Sequence, residues 1–256
     1  MISEFVIRDI SSLYFNDLKG FHWVKKRSDM ISLFTFNHKE KKRVEKRLKG
    51  RYPFEEYKVE PFNQPIPLSE SYTFDGLVFS NSTGKGAKKA VKISTLCSFG
   101  FDHSATLLTL QMISKYRNFF TNKRILDIGC GSGILSIYML KRGCRKAYAV
   151  DIDPFIVKEA MKNAKRNGFA KNKLYVAVKD VSSLKRTFDF IVANVPINVH
   201  SLISEELKRL LIKGGIFLAG GFFNSKLDEI KKFYEGLNFV ESTAKEDWAV
   251  AVFENK

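Results

Sequence analysis

The sequence predicts an α/β protein in which a small α+β domain precedes a doubly wound, mostly parallel sheet. Apolar strands and helical stretches alternate from Lys92 onward, which is the pattern of a parallel sheet covered by helices on both faces. A glycine-rich turn interrupts this alternation after an apolar strand, as in nucleotide-binding sheets. The first sixty residues follow a different order, strand–helix–strand–strand–helix–strand.

Residues 1–60 have the element order of a ferredoxin-like domain. Ser11 and Ser12 can cap a short helix that ends before Gly20, and a second helix is predicted from about His38 to Leu48. The predicted strands are Phe5 to Ile7, Phe21 to Lys26, Ile31 to Phe36 and Tyr57 to Val59. Together these elements form the split βαβ arrangement.

The second N-terminal helix is strongly basic. From Lys39 to Arg51, eight of thirteen residues are Lys or Arg. Val44 and Leu48 are four residues apart, the spacing that lets one helix face contact a sheet. Two interpretations remain open for the charged residues: a solvated helix face, or a surface that binds phosphate groups or an acidic partner.

Residues 61–92 are predicted to be a linker with short strands. Prolines at positions 61, 65 and 67 interrupt regular structure, and the stretch from Asn81 to Gly86 is a polar loop. One or two strands are predicted between Tyr72 and Phe79. The chain is therefore divided into domain 1–60, linker 61–92 and domain 93–256.

In domain 93–256, apolar strands alternate with helical stretches. Helices are predicted for Leu107 to Tyr116, Ile134 to Lys141, Pro154 to Asn167 and Lys226 to Tyr234. The predicted strands are Arg124 to Asp127, Ala147 to Asp151, Leu174 to Val178, Phe190 to Ala193, Ile216 to Ala219 and Trp248 to Phe253.

Composition excludes several classes of protein. With 45% hydrophobic residues the chain can bury a substantial core, yet no apolar run approaches the roughly 20 residues of a membrane-spanning helix. The first ten residues show no secretory signal. Three cysteines, Cys97, Cys130 and Cys144, lack metal-ligand spacing and suit a reducing compartment. We therefore expect a cytoplasmic protein without a membrane anchor or a metal site.

Net charge is the strongest compositional signal. The chain has 43 Lys and Arg against 27 Asp and Glu, a formal charge of +16. Such a charge attracts polyanions. It is equally typical of a protein from a lysine-rich proteome, so both interpretations remain open.

The segment from Ile125 to Leu135 carries the glycine-rich turn. Gly129 and Gly131 occupy the first two positions of the dinucleotide-binding pattern, but Ile134 occupies the last and Gly133 comes early. Asp127 directly precedes the turn, where it would repel a pyrophosphate and attract an ammonium or sulfonium group. Asp151 ends the next strand, 24 residues later, where a carboxylate can accept both ribose hydroxyls.

These residues resemble the class I S-adenosylmethionine-dependent methyltransferases, which have a Rossmann-like sheet. Asp127 to Gly133 is similar to their first motif, and Asp151 to their ribose-binding acid. The resemblance implies that Ile152, Asp180 and the backbone amide of Val181 also contact the cofactor, the last two at adenine. For Asp180 an N-cap of the next helix is the alternative.

Further segments resemble the PrmA family, the methyltransferases of large-subunit ribosomal protein eleven. The similarity lies in Phe99 to Thr106, Asp151 to Pro154, Asn163 to Gly168, Ala193 to Val195 and Glu246 to Val252. The family begins with a ferredoxin-like substrate-recognition domain. Phe99, Gly100, His103 and Thr106 match its motif before the first strand, whereas Phe101 and Asp102 replace its Thr-Gly pair.

The family motif implies that His103 and Thr106 contact the cofactor or orient the loop over it. For His103, hydrogen bonding within the loop and capping of the following helix are the alternatives. Asn194 ends a central strand, where an amide faces the ligand crevice. We expect Asn194 to orient the acceptor amine, and also to lie against the cofactor, while Phe99 walls the pocket.

The resemblance implies a protein N-methyltransferase that uses S-adenosyl-L-methionine and releases S-adenosyl-L-homocysteine. The expected acceptors are lysine or N-terminal amines of a ribosomal protein, with a possible ribosomal RNA contact through the helix from Lys39 to Arg51. Two alternatives remain: a ribosomal RNA methyltransferase, favoured by the net charge, and a non-catalytic cofactor-binding relative.

Overall fold

The computed structural model of the chain describes its C-terminal three fifths continuously and its N-terminal part in segments. The described residues are 2–7, 23–26, 31–35, 42, 45–46, 49, 55–59, 71–81, 90–93 and 103–256. The chain forms two compact units, Met1–Pro67 and Leu68–Lys256.

The first unit contains a four-stranded antiparallel sheet. Its strands are β1 (Ile2–Ile7), β2 (Trp23–Lys26), β3 (Ile31–Thr35) and β4 (Glu55–Val59), in the order β2-β3-β1-β4. Because β3 is antiparallel to both β1 and β2, those two strands run parallel and are separated by β3. This is the strand arrangement of a split βαβ unit. The helix predicted after Ser11 lies outside the described residues, so the ferredoxin-like domain stays a prediction.

The basic helix predicted from about His38 to Leu48 is described at a few positions. Lys42, Glu45 and Lys46 are helical, and the Lys49 amide donates to the Glu45 carbonyl at 2.9 Å. The three described lysines of this stretch are exposed. Their positive charges are therefore available to solvent or to an anionic partner.

A small three-stranded sheet opens the second unit. It consists of β5 (Ser71–Phe74), β6 (Leu77–Asn81) and β7 (Val91–Ile93), in sequence order. Phe79, Val91 and Ile93 are buried in the core of this unit. Residues 71–81 and 90–92, which the sequence analysis assigned to a linker, thus lie within the second unit.

The main sheet of the second unit has seven strands in the order β10-β9-β8-β11-β12-β14-β13. The strands are β8 (Arg124–Ile128), β9 (Lys146–Asp151), β10 (Leu174–Val178), β11 (Phe188–Asn194), β12 (Leu211–Phe223), β13 (Asn238–Lys245) and β14 (Trp248–Glu254). The first five pair in parallel, and β14 pairs antiparallel with both β12 and β13. The predicted doubly wound, mostly parallel sheet is confirmed.

Helices cover both faces of this sheet. They are α1 (Ser104–Lys115), α2 (Arg117–Phe120), α3 (Ile134–Lys141), α4 (Pro154–Arg166), α5 (Ile197–Leu210) and α6 (Leu227–Phe233), with 3₁₀ turns at Val181–Ser183 and Asn224–Lys226. Ile125 packs into a core shared with α1, α3 and α4, whereas its neighbour Leu126 packs into a core shared with α5 and α6. This alternation is expected of a strand buried on both faces.

Strand β13 was not predicted from the sequence. Its residues are mostly exposed or half-buried, and it pairs only with β14 at the sheet edge. An edge strand needs no continuous apolar run, so the pattern that revealed the central strands is absent here.

The strand order reverses at β8. From β8 the chain continues to β9 and β10 on one side of this strand, and it then crosses to β11 and β12 on the other side. In open α/β sheets, ligands bind beyond the carboxyl ends of the strands at such a reversal. The candidate site is thus expected after β8, β9 and β11.

The turn between β5 and β6 is fastened to helix α3. Tyr138 donates a hydrogen bond from its hydroxyl to Asp75 Oδ2 at 2.8 Å, and Arg142 Nε lies 2.7 Å from the same oxygen. We expect Tyr138→Phe to lower the free energy of unfolding by about 1 kcal/mol, because one partly buried hydrogen bond is lost. Urea denaturation measures this.

Glu205→Gln is the matched control, because it removes the ion pair of an 84% exposed carboxylate with Lys208. Such exposed pairs contribute about 0.5 kcal/mol or less. Equal effects of the two substitutions would show that the Asp75 contact does not stabilise the unit.

Candidate cofactor and active site

The glycine loop joins β8 to α3. Gly129, Gly131 and Gly133 have φ angles of 65°, 55° and 78°, in the left-handed region that favours glycine. The amides of Gly129 and Cys130 both donate to the Val150 carbonyl, at 2.9 and 3.1 Å. These bonds hold the loop against the end of β9.

The loop also lies directly against the segment that follows β11. A Cβ atom at Gly129 would overlap Cγ1 of Val195, so no side chain fits there. Behind the loop, Asn163 on α4 donates from Nδ2 to the Ser132 carbonyl at 2.9 Å. The loop is thus packed from two sides, which fixes its backbone.

Asp127 is buried at the end of β8, 1% exposed. Its Oδ2 accepts hydrogen bonds from the Ser136 amide at 3.2 Å and the Ser136 hydroxyl at 2.7 Å. Its Oδ1 has no hydrogen-bond partner among the described residues. Burial raises the pKa of Asp127 to about 7, against the lowering effect of Ser136. A cation near Oδ1 would restore the ionised carboxylate.

Asp151 ends β9, the strand that pairs in parallel with β8. Its Oδ2 accepts from the Gly131 amide at 3.3 Å, and its Oδ1 accepts from the Asp153 amide at 3.1 Å. Burial raises its pKa. A carboxylate oxygen has more than one lone pair, so both oxygens can accept further bonds from a diol. Beside it, the apolar side chain of Ile152 is 75% exposed, as a wall for a flat ring would be.

Asp180 is the N-cap of the 3₁₀ turn Val181–Ser183, which was the alternative to an adenine contact. Its side chain accepts from the Ser182 amide at 2.8 Å, and this bond lowers its pKa. The Val181 side chain is buried, while its amide opens the 3₁₀ turn and has no acceptor within that turn. A contact of both residues with adenine stays a prediction.

Asn194 is the last residue of β11 and is partly exposed. Its Oδ1 lies 3.1 Å from the hydroxyl oxygen of Thr109, a buried residue of α1. The next amide, of Val195, donates to the Gly220 carbonyl at 3.1 Å. The Asn194 side chain is therefore held by α1, and the backbone that follows it is held by β12.

His103 and Thr106 lie at the start of α1. The His103 ring stands edge-on to Trp248 with centroids 5.1 Å apart, and its side chain does not cap the helix. Thr106 is buried in the first turn. Phe99 lies outside the described residues, as do Phe101 and Asp102. The roles implied for His103, Thr106 and Phe99 stay predictions.

His200 is a residue whose importance sequence reasoning missed. It is fully buried on α5, with Nε2 2.9 Å from the Gly220 carbonyl and Nδ1 2.8 Å from the Tyr234 hydroxyl. Since a carbonyl can only accept, Nε2 carries the proton and Tyr234 donates to Nδ1. Burial lowers the pKa of His200 to about 4. A neutral ring thus supports the carbonyl that also holds Val195.

The carboxyl edge of the sheet brings together most of the predicted site residues. They are Asp127, Gly129, Gly131, Gly133, Asp151, Ile152 and Asn194. A buried unpaired carboxylate oxygen, a second carboxylate and an exposed apolar side chain fit a ligand that has a cation, a ribose and a flat base. In the described ranges, no cluster of three or more His, Cys, Asp or Glu side chains is arranged to hold a metal ion.

Comparison with known proteins identifies one family. The profile of the family described as ribosomal protein L11 methyltransferase (PrmA) matches residues 61–256. A ribosomal protein L11 methyltransferase from Campylobacter concisus is 35% identical over 151 residues, which cover 59% of this chain and 53% of that protein. The corresponding protein from Dictyoglomus thermophilum is 32% identical over 160 residues, 60% of this chain and 50% of that protein. The chain spans about half the length of these curated relatives.

A solved structure shares the fold. The crystal structure of a ribosomal protein L11 methylase from Lactobacillus delbrueckii subsp. bulgaricus has a TM-score of 0.64 at 20% identity and covers 73% of this chain and 99% of that one. At this identity the likeness establishes the fold alone. It agrees with the Rossmann-like methyltransferase fold predicted from the sequence.

The tight contact between the glycine loop and Val195 is testable. We expect Gly129→Ala to weaken binding of S-adenosyl-L-homocysteine at least tenfold, because the new Cβ displaces Val195 or the loop. Isothermal titration calorimetry measures the affinity.

Gly168→Ala is the matched control. Gly168 also has a positive φ, 77°, but a Cβ there meets nothing within 4 Å. It imposes backbone strain of about 1 kcal/mol without touching the loop. If both variants bind equally well, the contact with Val195 does not shape the site.

Proposed function

The chain belongs to the ribosomal protein L11 methyltransferase (PrmA) family, and from this premise we propose that it is an S-adenosylmethionine-dependent protein N-methyltransferase. Its proposed acceptors are lysine or N-terminal amines of a ribosomal protein. The observation that supports this best is the convergence of Asp127, Asp151 and Asn194 at the reversal point of the sheet.

The proposed cofactor is S-adenosyl-L-methionine, with S-adenosyl-L-homocysteine as product. Asp127 would attract its ammonium group, Asp151 would accept its ribose hydroxyls, and Ile152 would contact its base. Gly129, Gly131 and Gly133 would let the backbone approach it closely. When bound, the cofactor supplies a methyl group on a positively charged sulfur, and the sulfur keeps the bonding electron pair when the methyl leaves.

The chain's own contribution would be alignment of the acceptor and exclusion of water. Asn194 would accept a hydrogen bond from the acceptor amine and so aim its lone pair at the methyl carbon. A lysine amine must first lose its proton to solvent, from an ordinary pKa of about 10.4. Desolvation beside a cation favours the neutral amine, so no side-chain base is required. Phe99 is proposed as a wall of this pocket.

The proposed partner is a ribosomal protein, and the relatives' names point to ribosomal protein L11. A ribosomal RNA contact through the helix from Lys39 to Arg51 is part of the proposal, and it is supported by the exposed Lys42, Lys46 and Lys49. A cytoplasmic location is proposed from this substrate. Within the described ranges, none of the helices has the length and apolarity needed to cross a membrane.

The net charge of +16 favours one alternative, a methyltransferase that acts on ribosomal RNA. Both proposals share the cofactor site and differ in the acceptor. The chemical nature of the labelled product therefore separates them.

Incubation with labelled S-adenosyl-L-methionine and undermethylated ribosomes, or the separated ribosomal proteins, tests the proposal. We expect ribonuclease-resistant label in a single large-subunit protein, with the acceptor amine located by mass spectrometry. Asn194→Ala should lower kcat at least tenfold while the affinity for S-adenosyl-L-homocysteine stays within twofold, because the residue is expected to act mainly on the acceptor.

Glu205→Gln, an exposed substitution on α5, is expected to have wild-type kcat. Ribonuclease-sensitive label would replace the protein acceptor by RNA. Cofactor binding without any label would favour the non-catalytic alternative.

A further inference from the structure

The side chains of Thr109 and Asn194 are in contact through their polar atoms. We propose that Thr109 is a positioning residue that holds Asn194 with its nitrogen against α1 and its oxygen toward the acceptor. The proposed benefit to catalysis depends on the function proposed above. The orientation itself does not.

Thr109 contacts Asn194 from a position that is shielded from water. It is fully buried in α1, whereas Asn194 is partly exposed at the end of β11. The Thr109 hydroxyl oxygen lies 2.8 Å from the Ala105 carbonyl and 3.1 Å from Oδ1 of the asparagine. The hydroxyl therefore has two neighbours that both accept hydrogen bonds.

A hydroxyl has one proton, so it can donate to only one of these oxygens. The Ala105 carbonyl, one helical turn earlier, can only accept, and it is the nearer partner. With the proton on that bond, Thr109 Oγ1 offers lone pairs to Asn194. Two facing oxygens without a proton between them repel each other. Half a rotation of the amide, which hardly changes its shape, places Nδ2 on Thr109 and makes it a donor.

Gly220 on β12 leaves the space in which this contact forms. A Cβ at Gly220 would lie 2.6 Å from Thr109 Oγ1 and 2.9 Å from Asn194 Oδ1. The Gly220 carbonyl accepts bonds from the Val195 amide at 3.1 Å and from His200 Nε2 at 2.9 Å. Hydrogen bonds thus fix the backbone next to Asn194. The side-chain amide of Asn194 is the group whose orientation Thr109 is proposed to set.

The orientation determines what Asn194 can bind. With Nδ2 on Thr109, Oδ1 faces the crevice and accepts a hydrogen bond from a neutral amine. The amine lone pair then remains free for attack. With the opposite orientation, Nδ2 would donate to that lone pair and block it. A neutral amine that carries at least one N–H is therefore the acceptor class that this arrangement favours.

Side-chain amide exchange measured by nuclear magnetic resonance tests the orientation directly. In protein labelled with ¹⁵N-asparagine, the Asn194 side-chain signal is assigned by its loss in Asn194→Ala. We expect its amide protons to exchange with water at least tenfold more slowly than those of the exposed Asn172. In Thr109→Val, which removes the hydroxyl and preserves shape, the exchange should accelerate. In Thr109→Ser it should stay slow.

Methyl transfer provides the second measurement. We expect Thr109→Val to lower kcat at least fivefold, with unchanged affinity for S-adenosyl-L-homocysteine, and Thr109→Ser to retain most of the wild-type kcat. In the Asn194→Ala background, Thr109→Val should have no further effect on kcat, because the group that it orients is gone. Thermal unfolding of each variant shows whether it is folded.

Several results would overturn the proposal. Rapid exchange of the wild-type Asn194 amide would show that its nitrogen faces the crevice. An equal loss of kcat from Thr109→Val with and without Asn194 would show a general structural role. If the wild-type protein transfers no methyl group, the proposed function fails, while amide exchange still decides the orientation.

Discussion

A buried carboxyl group with one unpaired oxygen is the constraint on which the site depends. Asp127 satisfies its Oδ2 through Ser136 at the start of α3 and leaves Oδ1 without a partner among the described residues. Burying such a group is costly unless a partner compensates for it. Its raised pKa, about 7, expresses that cost. A cationic ligand near Oδ1 would supply the missing partner. The free-energy cost of burying Asp127 in the free protein would thereby be reduced on binding, which favours the bound state.

The rest of the site is arranged around this group by close backbone packing. Asp151 accepts a hydrogen bond from the Gly131 amide, and Gly129 lies against Val195 with no room for a side chain. Val195 is in turn tied to Gly220, whose carbonyl also holds the neutral His200. These contacts link the proposed cofactor residues on β8 and β9 with the proposed acceptor-binding residue on β11.

Much of this architecture follows from local sequence. The strands of the sheet are short apolar runs, and the glycine turn after Asp127 is visible because three glycines and an acid stand together. Strand β13 escaped notice because an edge strand has no apolar run. Thr109 and His200 were not singled out from the sequence, because their contacts are with residues distant in the chain. Thr109 contacts Asn194, 85 residues away, and His200 contacts Gly220, 20 residues away. Such contacts leave no local pattern and depend on the assembled sheet.

Proton release on cofactor binding tests the central claim most directly. Calorimetric titration of S-adenosyl-L-homocysteine in buffers of different ionisation enthalpy measures it. Asp127 has a pKa of about 7 in the free protein, and a bound cation would lower that pKa. Binding near pH 7 should therefore release a fraction of a proton. The affinity should rise from about pH 6 to about pH 7.5, across the pKa of the free protein. Asp127→Asn should abolish that release and flatten the pH dependence. Binding that releases no proton, with the same affinity at both pH values, would contradict the account.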